Sequence, residues 1–224
     1  MKLLLISATE MEISPLLQHL QQSWQSPSAH IFKNHAHEVH VCHTGVGLVA
    51  ATYAVTKALL AGTYDLVLQA GVAGSFDSAL PLGSLVFITS EQYGDLGAED
   101  HDEHLDIFDI GLLQKDVYPF TGTSLVTPLL PVHSRITLPQ ATGLTVNTVS
   151  GNAHTISRLI ATYHCQVESL EGAAFHYACL QEQAPFAQIR AISNYVEPRD
   201  KSKWKMKEAV IALNNWLIDF IETA

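Results

Sequence analysis

The stretch from Ser169 to Asn194, SLEGAAFHYACLQEQAPFAQIRAISN, contains a strand-to-helix junction followed by a second strand. Apolar residues recur at helical spacing in GAAFHYACLQEQ, whereas QVESL before it and FAQIRAIS after it are short enough for buried strands. Glu171 stands where the helix begins, and Asn194 stands where the second strand ends. Because ligands of open α/β sheets bind beyond the carboxyl ends of the strands, we predict that both side chains border a binding crevice.

Two glutamates stand at the starts of predicted helices. At Glu171 the positive end of the helix dipole and N–H groups without a helical partner favour the ionised carboxylate, so we expect a fixed hydrogen-bond acceptor. Glu12 lies in the first turn of an amphipathic helix predicted over residues 11–24. A glutamate is also favoured there for structural reasons alone, so Glu12 acquires a functional interpretation only in combination with other residues.

The alternation of strands and helices continues along the whole chain, and it defines the fold class. Strands are predicted at 2–8, 37–45, 64–71, 83–90 and 142–151, and helices at 11–24, 48–62, 153–163 and from about Ser202 to the last residue. Strands that alternate with helices form mostly parallel sheets covered on both faces. We therefore predict an α/β protein, a three-layer α/β/α sandwich around a mixed, mostly parallel sheet, in one domain spanning residues 1–224.

The composition excludes several classes of protein. The 224 residues are 47% hydrophobic and 15% charged, and the net charge of −10, with no basic stripe, argues against a nucleic-acid partner. The N-terminal apolar run is too short for a signal peptide, and no stretch is long enough to span a membrane. The three cysteines are scattered and lack C-x-x-C spacing, which favours reduced thiols and a cytoplasmic location.

Glycine-rich and acidic segments each admit a functional and a structural interpretation. The glycines of Gly45–Gly47 and Gly71–Gly74 either admit a ligand close to the backbone or form plain turns. The segment from Asp95 to Asp109 has seven acidic residues together with His101 and His104, and it could hold a divalent metal or form a solvated loop. Because neither zincin nor EF-hand spacing is present, we predict no metal site and no cofactor.

Six short motifs occur in an order that identifies a family. They are ATEME (8–12), TGVG (44–47), AGVAGS (70–75), SGNAH (150–154), SLEGAAF (169–175) and RAISN (190–194). As a set they resemble the purine nucleoside phosphorylase and nucleosidase superfamily, and more closely its 5′-methylthioadenosine/S-adenosylhomocysteine nucleosidase branch. Within that branch, SLEGAAFHY and RAISNYVEPR are similar to futalosine hydrolases, which remove hypoxanthine from futalosine in one route to menaquinone.

The resemblance implies roles for residues on the sugar side of a nucleoside site. Glu171 matches the glutamate that accepts hydrogen bonds from the ribose 2′- and 3′-hydroxyls, Glu12 matches the one that activates the attacking water, and Leu170 matches a methionine beside the ribose. The chemistry agrees with these roles, because a carboxylate on the ribose strengthens its bonds as an oxocarbenium-like charge develops. Trp204 aligns with an aromatic residue near the 5′ group, where the aromatic carboxylate of futalosine also needs a cation. Arg199, Lys201, Lys203 and Lys205 are candidates.

The resemblance also implies a purine site, in which this chain departs twice from the adenine-specific nucleosidases. Asn194 replaces an aspartate that donates a proton to N7, and its amide can accept from a protonated N7 while donating to O6 of a 6-oxopurine. His154 replaces a phenylalanine that stacks on the base, and His154 or Thr155 either bonds the base or lies outside the site. The remaining predicted purine-site residues are Val72, Ala73, Gly74, Ser193 and Arg190.

The predicted reaction is therefore hydrolysis of the N-ribosidic bond of a 6-oxopurine nucleoside, futalosine, by a homo-oligomer. Water is expected as the nucleophile because the first arginine of the chain is Arg135, whereas related phosphorylases hold phosphate with arginines nearer the N-terminus. Two alternatives stay open: another purine nucleosidase or phosphorylase of the same fold, and a nucleoside-binding protein without catalysis. The presence of both Glu12 and Glu171 argues against the second alternative.

Overall fold

Twelve strands and five helices form the described part of the protein, a computed structural model that covers residues 1–101 and 103–223. The strands are β1 Lys2–Ser7, β2 Gln25–Ser28, β3 Ile31–Lys33, β4 Glu38–His43, β5 Leu66–Ser75, β6 Leu85–Tyr93, β7 Gly97–Asp100, β8 Glu103–Asp106, β9 Leu125–Val126, β10 Gln140–Thr145, β11 Val167–Ser169 and β12 Phe186–Tyr195. The helices are α1 Glu10–Ser23, α2 Leu48–Leu60, α3 Ala153–Tyr163, α4 Gly172–Gln181 and α5 Met206–Glu222, and short 3-10 helices cover Pro131–Arg135 and Lys201–Lys203.

The central sheet is covered on both faces, as the alternation of strands and helices predicts. Along β1, Leu3 and Leu5 pack into the core that contains α1 and α5, whereas Leu4 and Ile6 pack into the core that contains α2 and α4. Successive side chains of a strand point to opposite faces, so an uninterrupted apolar strand is stable only between two such layers. The predicted α/β/α sandwich is thereby confirmed.

The sheet is mixed, as predicted, and part of it closes into a ring. Its order is β11-β10-β6-β12-β5-β1-β4-β3-β2, and β11 also pairs with β5, so that β5, β12, β6, β10 and β11 form a closed circuit. Strand β5 pairs in parallel with β1 and with β12, whereas its pairing with β11 is antiparallel. Strand–helix alternation is typical of an open sheet. Here only the strands that extend from β5 through β1, β4, β3 and β2 form an open sheet.

The glycine-rich segment of residues 70–75 belongs to β5 and is not a turn after it. Along one edge, β5 pairs with β1 through Leu66–Gln69 and with β11 through Gly74 and Ser75. Between these two partners β5 has an unpaired edge, and the other edge remains paired with β12 throughout. Such a point, where neighbouring strands part, is where α/β proteins place their ligands.

The acidic segment forms a hairpin of β7 and β8 whose side chains are exposed or half-buried. Asp102 of this segment lies outside the described residues. Over residues 1–101 and 103–223, no group of three or more His, Cys, Asp or Glu side chains is arranged to hold a metal ion. No helix in these two ranges combines the length and hydropathy of a membrane span.

Candidate active site

A cavity of about 240 Å³ lies beside the unpaired edge of β5. It lies between the start of α1, β5, β11 and the start of α4, the end of β12, and the segment leading into α5. Nine residues predicted for the site line it: Glu12, Val72, Ala73, Gly74, Leu170, Glu171, Ser193, Asn194 and Trp204. The fold therefore brings together side chains that are up to 192 positions apart in the chain.

Glu12 is held at the wall of this cavity by main-chain donors. Its Oε2 accepts hydrogen bonds from the Thr9 backbone N–H at 3.0 Å and the Thr9 hydroxyl at 3.2 Å, and its Oε1 accepts from the Val72 N–H at 3.1 Å. The Thr9 contact is the reach-back half of a capping box at the start of α1. The Val72 contact uses an N–H on the part of β5 between its β1 and β11 pairings, so Glu12 is oriented by both the helix and the sheet.

Gly71 permits the close packing of a buried arginine behind Glu12. A β-carbon at Gly71 would lie 2.6 Å from Arg190 Nη1 and 2.8 Å from Glu12 Oε1, so any side chain there would displace these two groups. Arg190 is only 1% exposed, its Nη2 lies 3.9 Å from Glu171 Oε2, and it does not line the cavity. The resemblance predicts Arg190 as a purine-site residue, but in the fold Arg190 is buried beside Gly71 and Glu171 and does not line the cavity.

Glu171 does not cap the helix that it precedes. Its Oε1 accepts from the backbone N–H of Gly47 at 3.0 Å, while the first N–H groups of α4 donate to Ser169 Oγ at 3.2 Å and Thr145 Oγ1 at 2.7 Å. Burial raises the pKa of Glu171, and the Arg190 charge and the Gly47 N–H oppose that shift. These two tertiary neighbours therefore favour ionisation, whereas the side chain accepts no capping hydrogen bond from its own helix.

A register shift at the end of β12 orients Asn194. Ile192 is opposite Ala73 and Asn194 is opposite Gly74, so Ser193 is an extra residue in the strand. The Ser193 hydroxyl lies 2.9 Å from Asn194 Oδ1, and Asn194 Nδ2 donates to the Tyr195 carbonyl at 3.0 Å. An amide oxygen has two lone pairs and its nitrogen two hydrogens, so each end of Asn194 keeps one bonding position for a ligand.

The segment before α5 brings an aromatic ring and a cation to the mouth of the cavity. Trp204 is half-buried and lines the cavity, and the Arg199 guanidinium lies 5.2 Å from the centre of its ring, within cation–π range. Lys203 and Lys205 form ion pairs with Glu197 at 2.9 Å and Glu208 at 3.6 Å.

Some predicted residues lie outside the cavity, and the sequence analysis missed others that line it. His154 is exposed and Thr155 is half-buried in the first turn of α3, and neither contributes to the lining. Asn152 caps this helix by accepting from both of their N–H groups. The unpredicted lining residues include Met11, Val46, Val149, Glu168 and Met206. For Glu168 a signal was available, because it is a charged residue inside a predicted buried strand.

A further buried carboxyl, that of Glu91 on β6, lies between β10 and β12. It is 1% exposed, its Oε1 accepts from Gln188 Nε2 at 2.8 Å, and its Oε2 accepts from the Thr145 hydroxyl at 2.9 Å. Burial raises the pKa of Glu91 to about 7, although Gln188, Arg190 and Thr145 oppose the shift. The folded state therefore favours the protonated form of this side chain.

We expect Glu91 to make the protein less stable as the pH rises. Between the unfolded pKa of 4.5 and the folded value of about 7, the native state holds a proton that the unfolded state releases. The free energy of unfolding should fall across this window, by on the order of 3 kcal/mol in total, and level off above it. Urea unfolding at pH 5 and pH 8 should show this loss in the wild type and a much smaller one in Glu91→Gln. Glu99→Gln, at an exposed position, is the control and should keep the pH dependence of the wild type. If Glu91→Gln also kept it, the pH dependence would not arise from Glu91.

Comparison with known families identifies proteins that are similar to this chain over most of its length. The model of the phosphorylase superfamily matches residues 2–222. Futalosine hydrolase of Streptomyces coelicolor is 35% identical over 159 residues, which are 68% of this chain and 63% of that protein, slightly less than two thirds of its length. Futalosine hydrolase of Thermus thermophilus is 32% identical over 171 residues, which are 76% of this chain and 75% of that protein.

Solved structures show the same fold. The 5′-methylthioadenosine/S-adenosylhomocysteine nucleosidase of Colwellia psychrerythraea, in complex with adenine, has a TM-score of 0.79 at 20% identity and covers 99% of this chain and 95% of its own. Futalosine hydrolase of Helicobacter pylori has a TM-score of 0.78 at 18% identity and covers 100% and 98%. With the family match over nearly its whole length, the chain belongs to the phosphorylase superfamily.

Proposed function

We propose that this protein hydrolyses the N-ribosidic bond of futalosine and releases hypoxanthine and dehypoxanthine futalosine, an intermediate on a route to menaquinone. The observation that carries the proposal is that Glu12 and Glu171 line one cavity from different elements, each held by a backbone N–H, with an asparagine at the end of β12. The similarity to two futalosine hydrolases supports the choice of substrate.

In the proposed reaction the bond between C1′ and N9 breaks, and its electron pair leaves with the base. Glu171 accepts from the ribose hydroxyls and stabilises the positive charge that develops on the sugar. Glu12 takes a proton from water as the water oxygen bonds to C1′. The departing base anion then gains a proton from solvent and Glu12 returns its proton to solvent, so the net products are hypoxanthine and the free sugar. O6 of hypoxanthine can carry the negative charge that reaches the base. The reaction therefore needs no side chain that donates a proton at the position of Asn194.

The charges around the cavity favour water over phosphate as the nucleophile. Three carboxyl side chains line it, those of Glu12, Glu168 and Glu171, whereas no lysine, arginine or histidine is among its described lining residues. Arg190 is buried beside Glu171 and does not line the cavity. A phosphate dianion would therefore meet repulsion without a compensating cation.

An assay of free base is the direct test of the proposal. Futalosine, inosine and 5′-methylthioadenosine should each be incubated with the protein, with and without phosphate. We expect hypoxanthine from futalosine at a rate that does not depend on phosphate. Phosphate-dependent turnover would indicate a phosphorylase, preferred cleavage of methylthioadenosine would indicate an adenine nucleosidase, and no release from any substrate would indicate a binding protein.

Asn194 is proposed to select a 6-oxopurine through its two remaining hydrogen-bonding positions. In Asn194→Asp the donor toward O6 becomes an oxygen, which costs about 1–3 kcal/mol. We expect kcat/KM for futalosine to fall about tenfold or more, and the ratio of methylthioadenosine cleavage to futalosine cleavage to rise. Asn215→Asp, at an exposed position of α5, is the control. An unchanged ratio of methylthioadenosine cleavage to futalosine cleavage would mean that groups other than Asn194 distinguish the substituent at C6 of the purine.

Arg199 is proposed as the cation for the aromatic carboxylate of the 5′ arm. Its guanidinium lies 5.2 Å from the centre of the Trp204 ring, whereas two of the other three candidate cations are paired with glutamates. Arg199→Gln should raise KM for futalosine about fivefold, the upper range for an exposed ion pair, and leave KM for inosine unchanged because inosine has no such carboxylate. Lys201→Gln, on the same exposed segment, is the matched control. Equal effects of the two substitutions on futalosine would refute the specific role of Arg199.

We also propose that the chain is a homo-oligomer in the cytoplasm. Met11 and Val46 line the cavity while remaining 62% and 58% exposed, and Val49 and Tyr53, on α2 close after Val46 in the chain, are 85% and 68% exposed. An apolar surface of this kind is typical of a protein interface. Light scattering of the purified protein tests the oligomer.

The three cysteines are free, in accord with a reducing compartment.

A further inference from the structure

Glu91, Gln188 and His176 form a buried polar cluster beside the first two turns of α4 that the proposed reaction does not use. Glu91 Oε1 lies 2.8 Å from Gln188 Nε2, and His176 Nδ1 lies 3.0 Å from the Leu125 carbonyl oxygen. Gln188 Oε1 and His176 Nε2 are buried and have no hydrogen-bond partner among the described residues. Because an unpaired buried polar atom is costly, these two atoms indicate that the hydrogens of the cluster are arranged differently.

The surroundings of His176 determine which of its ring nitrogens carries the hydrogen. A backbone carbonyl can only accept, so Nδ1 carries the hydrogen that is donated to Leu125. Burial lowers the pKa of His176 to about 4, which leaves the imidazole neutral and makes Nε2 an acceptor. Gln188 Oε1 is an acceptor as well. The two unpaired atoms therefore cannot bond to each other while the amide keeps this orientation.

A half-turn of the Gln188 amide gives both atoms a partner. The half-turn exchanges the amide oxygen and nitrogen, which are nearly equal in size. The NH₂ group can then donate to His176 Nε2, because Gln188 lies near enough to this imidazole to shift its pKa. The amide oxygen takes the place of the nitrogen, 2.8 Å from Glu91 Oε1, which is the usual length of an O–H···O bond. Such a bond requires a hydrogen on Glu91.

The titratable groups around Glu91 are compatible with a neutral carboxyl. Burial raises the pKa of Glu91 to about 7, Glu171 on the α4 side adds to the shift, and Arg190 on β12 opposes it. Tyr93 on β6 and Cys165 before β11 are also near Glu91 and remain neutral, because burial raises the pKa of each to about 12. The hydrogen on Glu91 is therefore retained below about pH 7.

The other oxygen of Glu91 connects the cluster to the start of α4. Glu91 Oε2 accepts from the Thr145 hydroxyl at 2.9 Å, and Thr145 Oγ1 in turn accepts from the Ala173 N–H at 2.7 Å. Gly172 packs against the same carboxyl, since a β-carbon there would overlap Glu91 Oε1. Glu171 directly precedes Gly172 in the chain. The carboxylate that is proposed to bind the ribose thus begins the turn that Glu91 and Thr145 hold.

We propose that Glu91, as a neutral carboxyl, is a positioning residue that holds the first turn of α4 and thereby orients Glu171 toward the ribose. This inference rests on the proposed function. With one hydrogen on Glu91, each group in a continuous chain donates to the next, in the order Ala173 N–H, Thr145, Glu91, Gln188, His176 and the Leu125 carbonyl. The chain contacts α4 at its first turn and again at His176, so it fixes the start of this helix to the sheet.

Two substitutions of Glu91 distinguish the chain from the charge. In Glu91→Gln the new amide can accept from Thr145 and donate to the Gln188 oxygen, so kcat/KM for futalosine should stay close to that of the wild type. Glu91→Leu can do neither, and the misplaced Glu171 should lower kcat/KM on the order of 10- to 100-fold. Thr145→Val breaks the chain one residue closer to α4 and should give a similar fall. It provides the comparison if Glu91→Leu does not fold.

A 2′-deoxy substrate separates a misplaced Glu171 from a general loosening of the fold. This substrate lacks a hydroxyl that Glu171 is proposed to bind, so Glu91→Leu should lower kcat/KM less for it than for futalosine. Leu217→Ala, in the core beside α5, is the stability control and should lower Tm while leaving kcat/KM for both substrates unchanged. Equal falls for the two substrates would overturn the positioning role. Unchanged kcat/KM in Glu91→Leu and Thr145→Val, or a loss in Glu91→Gln as large as in Glu91→Leu, would overturn it as well.

Infrared spectroscopy tests the hydrogen on Glu91 without any substrate. At about pH 6 the difference spectrum between the wild type and Glu91→Gln should contain the carbonyl band of one protonated carboxyl, because Glu91 titrates at about 7. Absence of that band would refute the neutral form and the proposal with it.

The futalosine assay separates this inference from the proposed function. A wild type that releases no hypoxanthine overturns the proposed function and with it the role of Glu91 toward the ribose. Hydrolysis of futalosine by the wild type without the expected differences among the variants overturns the role of Glu91 alone.

Discussion

Glu12→Gln is expected to lower kcat for futalosine by about 100-fold or more, because an amide cannot take the proton from the attacking water. Binding should be largely retained. The amide oxygen can still accept from one of the two backbone donors, Thr9 N–H or Val72 N–H, that hold the carboxylate. The measurement is the initial rate of hypoxanthine release over a range of futalosine concentrations up to saturation, which gives kcat and KM.

The matched control for Glu12 lies in the same turn of α1. Glu10 is exposed and is subject to the same helix dipole, so Glu10→Gln removes a similar stabilising charge without touching the cavity. Thermal unfolding of both variants measures the effect on the helix. A comparable loss of kcat in both variants, or near-normal kcat in Glu12→Gln, would exclude Glu12 as the base.

Glu171→Gln should lower kcat/KM by about 100-fold or more. Each bond from a ribose hydroxyl to an ionised acceptor is worth roughly 1.5–3 kcal/mol, more than a bond to a neutral amide. The substitution also removes the carboxylate that lies 3.9 Å from Arg190 Nη2, so a lower Tm is expected as well. Glu182→Gln, at the exposed C-terminal end of α4, should change neither quantity.

A 2′-deoxy substrate distinguishes a lost ribose contact from a general disturbance of the site. If Glu171 accepts from the 2′-hydroxyl, the deoxy substrate has already lost that bond in the wild type. The fall in kcat/KM on going to Glu171→Gln should then be smaller for the deoxy substrate than for the ribose form. Falls of equal size for both substrates would show that Glu171 does not contact the 2′-hydroxyl.

Local pattern was sufficient to predict all five helices and seven of the strands, but it did not predict β2, β3, β7, β8 or β9. Glu171 was identifiable because it is a polar residue at a strand-to-helix junction, which an α/β sheet brings to its ligand-binding edge. Glu12 acquired a functional interpretation only through the family resemblance. Helix α3 begins and ends where the spacing of its apolar residues predicts. The register at the end of β12, in contrast, depends on the extra residue Ser193, which no periodicity reveals.

The sequence by itself determined the three-layer α/β/α architecture and the family, because apolar periodicity and short ordered motifs are properties of neighbouring residues. The tertiary structure alone decided the closure of the ring by β5 and β11, whose paired residues Gly74 and Glu168 are far apart in the chain. It also decided that Arg190 is buried beside Glu171 without lining the cavity, and that Glu168 does line it. Burial and the partners of a charged group depend on how distant elements pack, so these assignments required the fold.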